Sequence, residues 1–277
     1  MSTCFIKTLK SDGLHPVDYQ ADSLNDAAQY EPEDGIYTVT NTYQVFKVLK
    51  FNAHLDRLED SAKRADIPLV LDRARLRSVL RQMIAEANYG DVRFRVTVPR
   101  QQPDTFILSV EPFAPLSPML IEEGVRVITA PNSARHNAAA KTTGWMQARK
   151  AISENLQSGI YDAILLDDKG DMLEGLASNF YAVLHGELHT AGEGVLPGIA
   201  QQIVFEVAPD IVPMKREAAN IGDLTNITEA FITSSSRGIV PVVEIDEHIL
   251  GDGKPGVVTI ALLTAYNEWV KAHLEEL

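Results

Sequence analysis

A single cysteine, Cys4, stands in a chain of 277 residues, so neither an internal disulfide nor a cysteine metal cluster can form. The histidines are scattered. His185 and His189 fall at a turn and on a predicted strand rather than on one helix face, and no metal is expected. Positive charge is also scarce: 25 Lys and Arg stand against 38 Asp and Glu, a net charge of −13 at pH 7. That argues against nonspecific binding to nucleic acid or to an anionic membrane, both of which need a basic surface. A small basic pocket for one phosphate is still allowed. Long apolar runs are missing. The opening MSTCFIKTLKSDG has no signal-peptide core, no stretch is long enough to span a bilayer, and a cytoplasmic protein is the expectation. No G-x-S-x-G elbow, internal repeat or low-complexity tract is present. Cys4, near an end expected to be mobile, is given no role.

What remains reads as an ordinary soluble globular composition arranged as strands with a few helices. Cys4–Leu9, Ile36–Thr40, Val45–Phe51, Val92–Val98 and Thr105–Val110 have strand character. Asn52 is a plausible N-cap for a helix with Leu55, Leu58 and Ala62 at helical spacing, and a second helix is predicted over Leu71–Asn88. Pro112, Pro115 and Pro118 then break any regular element, which makes 111–123 the expected linker. A domain at 1–117 and a larger one at 124–277 follow. In the latter a helix opens at Lys141 and runs to about Ser158, with strands at Ala163–Leu166, Asn179–Leu184, Ala230–Ser234 and Val240–Ile245. Helices are predicted over Gly198–Ala208 and Val257–Glu275, the last with an apolar face of Ile260, Leu263, Tyr266, Val270 and Leu274.

Four stretches point to chemistry. In Asn137-Ala-Ala-Ala-Lys141-Thr-Thr-Gly, one lysine has small neutral neighbours. Such a lysine can have its stem buried and its amine desolvated, which favours the neutral nucleophile that forms Schiff bases with carbonyl compounds. In Asp171-Met-Leu-Glu174-Gly, a carboxylate lies where a strand ends; either it sits exposed at a turn or it partners something in a pocket. Pro197-Gly198 feeds a helix N-terminus, whose free N–H groups suit a phosphate, although a plain turn reads equally well. Thr233-Ser234-Ser235-Ser236 clusters hydroxyls at a strand end, as an anion site or as a solvated loop. Gly251-Asp-Gly-Lys-Pro-Gly256 matches G-x-G-x-x-G, but the chain left after it has no room for a βαβ unit, so it reads as a turn into the last helix.

Together these blocks resemble the class IV aminotransferases, the fold-type IV pyridoxal phosphate (PLP) enzymes, over about Gly35–Gly256. The H-x-x-R-L-x-x-S-A segment appears as His54-Leu-Asp-Arg57-Leu-Glu-Asp-Ser-Ala62, E-G-x-x-x-N as Glu174-Gly-Leu-Ala-Ser-Asn179, and L-x-G-I as Leu196-Pro-Gly-Ile199. The resemblance implies an α+β, two-domain architecture with a small α/β N-terminal domain and a larger mixed-sheet C-terminal domain. It implies PLP as cofactor, with Lys141 as Schiff-base lysine and Glu174 as partner of the ring nitrogen. Arg57, Asn179, Ile199, Ala200, Ser234 and Ser235 would complete the cofactor site. The substrates would be an amino donor and a 2-oxo acid, with Tyr37 and Ser236 as candidate contacts. Arg93 and Arg95 share one face of an alternating strand, which reads either as a site for a substrate carboxylate or as an exposed basic face, and Arg237 is a similar candidate. In the family the site lies between the domains and is completed by a partner subunit, so a homodimer is implied.

The chain departs from the family pattern at three places. Ala200 and Gln201 stand where a Thr and an Arg usually follow L-x-G-I, which removes a hydroxyl ligand for the phosphate. Met146, after Trp145, stands where the branched-chain enzymes carry a Tyr. The readings carried forward are an aminotransferase, a lyase of the aminodeoxychorismate type using the same lysine, and a PLP-free homodimer that kept the fold.

Overall fold

The computed structural model describes residues 4–277, which divide into two compact units. The first comprises residues 4–114, 140–148 and 273–277, and the second residues 115–139 and 149–272. The chain therefore passes between units several times, where the sequence reading expects one passage at the proline-rich segment.

In chain order the first unit holds β1 (Phe5–Lys10), β2 (Gly13–Pro16), α1 (Leu24–Ala27), β3 (Gly35–Tyr43), β4 (Lys47–Leu49), α2 (Phe51–Arg64), α3 (Arg73–Ala87), β5 (Val92–Pro99) and β6 (Phe106–Pro112). Next come α4 (Pro118–Glu122), β7 (Val125–Ala130), α5 (Thr143–Glu154), β8 (Ile160–Leu166), β9 (Met172–Gly175), β10 (Asn179–Leu184) and β11 (Glu187–His189). The chain continues through α6 (Ile199–Val207), β12 (Met214–Lys215), β13 (Ile227–Ser234), β14 (Gly238–Ile245), β15 (His248–Ile249), α7 (Val257–Ala272) and β16 (Leu274–Glu276).

The first unit is a 7-stranded sheet in the order β16-β4-β3-β5-β6-β1-β2. One face is apolar: Ile36, Phe94, Val96, Val98, Leu108 and Val110 pack with Phe51, Leu55, Leu58 and Ala62 of α2 and Leu76, Leu80 and Met83 of α3. Burying each such side chain contributes roughly 1.5–3 kcal/mol. That easily offsets the left-handed backbone of Lys50 (φ 46°), which precedes α2 and costs about 1–2 kcal/mol. Asn52 is not the N-cap; the helix starts two residues earlier than that cap would give, with Lys50 at the cap position. Asp72 does cap α3, accepting from the Arg75 N–H at 2.9 Å. Cys4 is not at a loose end. It is buried with Ile6, Ala21, Leu24 and Ala27, and burial together with the Glu111 charge pushes its thiol up to about 12.

The second unit is a 9-stranded mixed sheet in which β7 runs parallel to both β8 and β14, while β10 is antiparallel to β13. Strand β9 pairs with β8 on one side and meets β10 at Glu174↔Asn179 on the other. That last pairing closes β10, β13, β14, β7, β8 and β9 into a ring filled by Val127, Ile164, Phe180, Ile232 and Val240. Helix α7 buries Thr259, Leu262, Tyr266 and Val270 and exposes Ile260, so its apolar face is rotated from the predicted one. Leu274 is not helical at all but opens β16, which pairs with β4 in the first unit. Among the described residues no helix is long and apolar enough to cross a membrane.

Candidate active site

In the first unit the site residues follow from the helical period of α2. His54, Arg57 and Ser61 are spaced three and four apart, so they form one stripe beside the apolar one. All three are buried. His54 Nδ1 lies 3.0 Å from Thr38 Oγ1 of β3, and burial, followed by the charges of Arg57 and Lys141, holds its pKa well below the usual value of 6.5. Burial also pulls Arg57 down to about 10, opposed by Tyr37, so its guanidinium is still cationic at neutral pH.

Ser61 Oγ accepts the Lys141 N–H at 3.1 Å, and the Lys141 carbonyl accepts the Tyr37 N–H at 3.0 Å. These bonds take the lysine backbone out of any helix, and α5 begins only at Thr143. Thr143 Oγ1 donates to the Glu33 carbonyl at 2.9 Å, and Gln147 Nε2 to the Glu31 carbonyl at 3.2 Å, anchoring the first turns of α5. Lys141 is half-buried between Ala140 and Thr142, with Nζ 4.7 Å from the centre of the Tyr37 ring. That ring is fixed by Ala28 and Met146, and its buried hydroxyl has no hydrogen-bond partner among the described residues.

In the second unit Glu174 is 4% exposed, not at an open turn. Its Oε1 accepts from Arg135 Nε at 2.8 Å, and its Oε2 accepts the Leu196 N–H at 3.1 Å. Across the β9–β10 pair, Asn179 Nδ2 donates to the Leu196 carbonyl at 2.9 Å. Glu174 and Asn179 thus clamp the loop that feeds α6 through the N–H and the carbonyl of one residue. Gly198 opens that helix with no side-chain cap, and Gln201 Oε1 accepts its N–H at 3.4 Å. Buried Ile199 and Ala200 follow in the first turn, where helix N–H groups lack intrahelical acceptors.

Asp162 shapes the Gly175–Ser178 loop: Oδ1 accepts the Leu176 N–H at 3.0 Å, and Oδ2 accepts from Ser178 Oγ at 2.8 Å. The hydroxyl cluster is the β13–β14 turn, with Ser234, Ser235 and Ser236 half-buried.

Three arginines do not stand as the sequence suggested. Arg95 is 4% exposed, and its guanidinium is engaged by Glu31, with Nε 2.8 Å from Oε1. Thr97 Oγ1 donates to the other Glu31 oxygen at 2.6 Å. Arg95 is therefore spent on a buried pair rather than presented to a substrate carboxylate, and the strand face is not an exposed basic one. Arg93, a third exposed, faces Glu111 at 3.4 Å. Arg237 pins its own turn, donating to Ser234 Oγ at 2.8 Å, to the Tyr161 hydroxyl at 3.3 Å and to the Ala177 carbonyl at 3.2 Å. Sequence reasoning missed Glu31, Arg135 and Asp162, each placed by long-range contacts that no local spacing announces.

The residues fit PLP. A half-buried amine, a buried guanidinium and an unpartnered phenol hydroxyl belong to the first unit. A fixed carboxylate, a helix N-terminus and a hydroxyl turn belong to the second. At Gly198 a Cβ would meet Asn179 Oδ1 at 2.0 Å, so this N-terminus admits no side chain of its own.

The comparisons with known proteins agree. Residues 35–245 match the family model "Amino-transferase class IV". The chain is 30% identical over 250 residues to the D-alanine aminotransferase of Listeria monocytogenes, covering 84% of this chain and 86% of that one. In structure it is similar to the T.th. branched-chain amino acid aminotransferase with pyridoxamine 5'-phosphate, with a TM-score of 0.81 at 19% identity and 98% of both chains covered. The Escherichia coli branched-chain enzyme gives a TM-score of 0.80 at 22% identity, covering 99% of this chain and 96% of that one. With its fold, its motifs and these matches in agreement, the chain belongs to the class IV amino-transferase family, whose members are PLP-dependent aminotransferases.

Proposed function

We propose that this protein moves an amino group between a free amino acid and a 2-oxo acid, with Lys141 as the amine that holds the cofactor covalently and carries the proton in catalysis. The observation that carries this reading is the seating of Lys141, its backbone fixed by Ser61 and Tyr37 and its Nζ laid on the Tyr37 ring. PLP, when bound, supplies an aldehyde for amines and a protonated ring that accepts the electron pair released at the substrate α-carbon. As a neutral amine, Lys141 Nζ would be the group that moves the proton at that α-carbon. Glu174 would hold the ring nitrogen and keep it protonated. Arg57 of the first unit is suited to a phosphate, and so, in the second unit, are the N–H groups of Ile199 and Ala200 and the hydroxyls of Ser234 and Ser235. Asn179 supports the cofactor loop through Leu196. The buried Tyr37 hydroxyl meets the substrate carboxylate, and Ser236 is assigned to the substrate as well; neither Arg95 nor Arg237 is given that part, because each is already engaged.

Aminotransferase relatives favour this reading over the lyase and over a PLP-free dimer. The family resemblance also supports a homodimer. The experiment is an absorbance spectrum after PLP loading and gel filtration, for the wild type beside Lys141→Ala, with borohydride reduction and peptide mapping. A cofactor band trapped on Lys141 and absent from the variant is expected. Loading D-alanine, L-alanine and branched-chain amino acids in turn should then shift the band to the pyridoxamine form for the true donor. A wild type that cannot be loaded would sink the proposal.

A further inference from the structure

The proposed chemistry leaves the buried cation beside Glu174 without a part. Arg135 Nε donates to Glu174 Oε1 at 2.8 Å, and Nη2 lies 2.6 Å from the same oxygen. Nη2 also donates to the Ala138 carbonyl at 2.7 Å. The two side chains are only 6% and 5% exposed. Pairs of this kind are not explained by stability alone. A buried ion pair is commonly no more stabilising than an apolar pair of similar volume, because both charges are stripped of water. Its value here is in what it does to the carboxylate. A buried carboxylate with no cation beside it takes up a proton rather than stay charged. Once protonated, it cannot serve as the anionic acceptor for a ring N–H. Two donors from one rigid guanidinium also fix where that carboxylate lies, which a flexible ammonium does less well.

We propose that Arg135 is a positioning residue of the cofactor site, keeping Glu174 ionised and aimed and acting on the cofactor only through it. This rests on the reading of Glu174 as partner of the ring nitrogen. The bond to Ala138 adds a second effect. It ties the segment three residues ahead of Lys141 to the same guanidinium that holds Glu174.

The test is a double-mutant cycle on PLP affinity, measured by absorbance titration of cofactor-stripped protein. Wild type, R135M, E174Q and R135M/E174Q are compared, and melting of each cofactor-free form is followed alongside. R135M should weaken PLP binding by about tenfold or more, and E174Q should weaken it too. The double variant should bind within about twofold of E174Q alone, since Arg135 has nothing left to act through. R135K, which keeps the charge without the fork, should fall between wild type and R135M. The cofactor-free double variant should melt above R135M, because it leaves no lone buried charge. If R135M does not fold, R135K set against R135K/E174Q closes the same cycle. Losses that simply multiply in the double variant, or tighter PLP binding by R135M, would overturn the inference. E174Q with wild-type affinity would remove the reading of Glu174 as well. A weakened E174Q beside an unaffected R135M would remove this inference alone.

Discussion

His54 shows how a single side chain ties the site to the stability of the fold. It is buried on α2, faces Thr38, and has the charges of Arg57 and Lys141 for neighbours, so the folded protein keeps it neutral. The unfolded chain has no such constraint and takes up a proton near the ordinary value of 6.5. The unfolded state therefore binds more protons below that pH, and stability falls as the pH drops through 6.5 towards the lowered folded value. The loss from one such group is at most about 1.4 kcal/mol per pH unit. His54→Asn keeps an amide near the Nδ1 position but does not titrate. Urea unfolding at pH 7.5 and pH 5 should show the wild type losing more stability between the two than the variant. Equal losses would mean that His54 titrates as an exposed histidine.

At this scale the sequence was informative where chemistry is local. The H-x-x-R segment put His54, Arg57 and Ser61 on one stripe because the helical period fixes that arrangement. The roles of Arg95 and Arg135 were not legible, because each is set by a carboxylate far along the chain, Glu31 in one case and Glu174 in the other.

The first turn of α6 sets the limits of the site at the scale of one element. The helix begins at a glycine because Asn179, on the neighbouring strand β10, occupies the space a side chain would need. A Cβ at Gly198 would lie 2.0 Å from Asn179 Oδ1 and 3.1 Å from its Cγ. The backbone there is extended (φ −72°), so the demand for glycine is steric rather than conformational. Gly198→Ala should push Asn179 off the Leu196 carbonyl, lower the stability of the cofactor-free protein by about 1–3 kcal/mol and weaken PLP binding. Removing the obstacle isolates the cause: Gly198→Ala/Asn179→Ala should melt close to Asn179→Ala alone. If the double variant instead loses the sum of both, the crowding argument fails. Gln201 had looked like a loss from the family pattern, yet it supplies an acceptor for the Gly198 N–H. The glycine-rich turn at 251–256 proved as plain as expected. Gly251 and Gly253 take positive φ, and α7 is capped from β13, with Glu229 accepting the Val258 and Thr259 N–H groups at 3.1 and 2.7 Å. A cap supplied from another strand leaves no signature beside the helix it serves.

On the scale of the whole molecule, the return of the chain to its first unit matters most. Periodicity predicted a last helix running to Glu275, and it could not show that the terminal residues would do something else. They leave α7 as β16 and pair with β4, and Leu277 is buried in the core formed by α2 and α3. Glu275 Oε1 accepts the Phe51 N–H at 2.8 Å, and this is how α2 is capped, since the Lys50 side chain makes no capping hydrogen bond. Residues 224 positions apart thus hold the start of the helix that carries His54, Arg57 and Ser61. The cap is worth about 1 kcal/mol and the buried leucine roughly 2. Deleting residues 274–277 should therefore lower unfolding stability by a few kcal/mol, fray the first turn of α2 and weaken PLP binding through Arg57. Glu275→Ala should reproduce the capping part of that loss, about 1 kcal/mol, while Glu275→Gln, which keeps an acceptor oxygen, should lose less. Denaturant unfolding and PLP titration on the three variants give the answer. If deletion leaves both stability and PLP affinity unchanged, β16 is idle and α2 holds its site residues without help from the end of the chain.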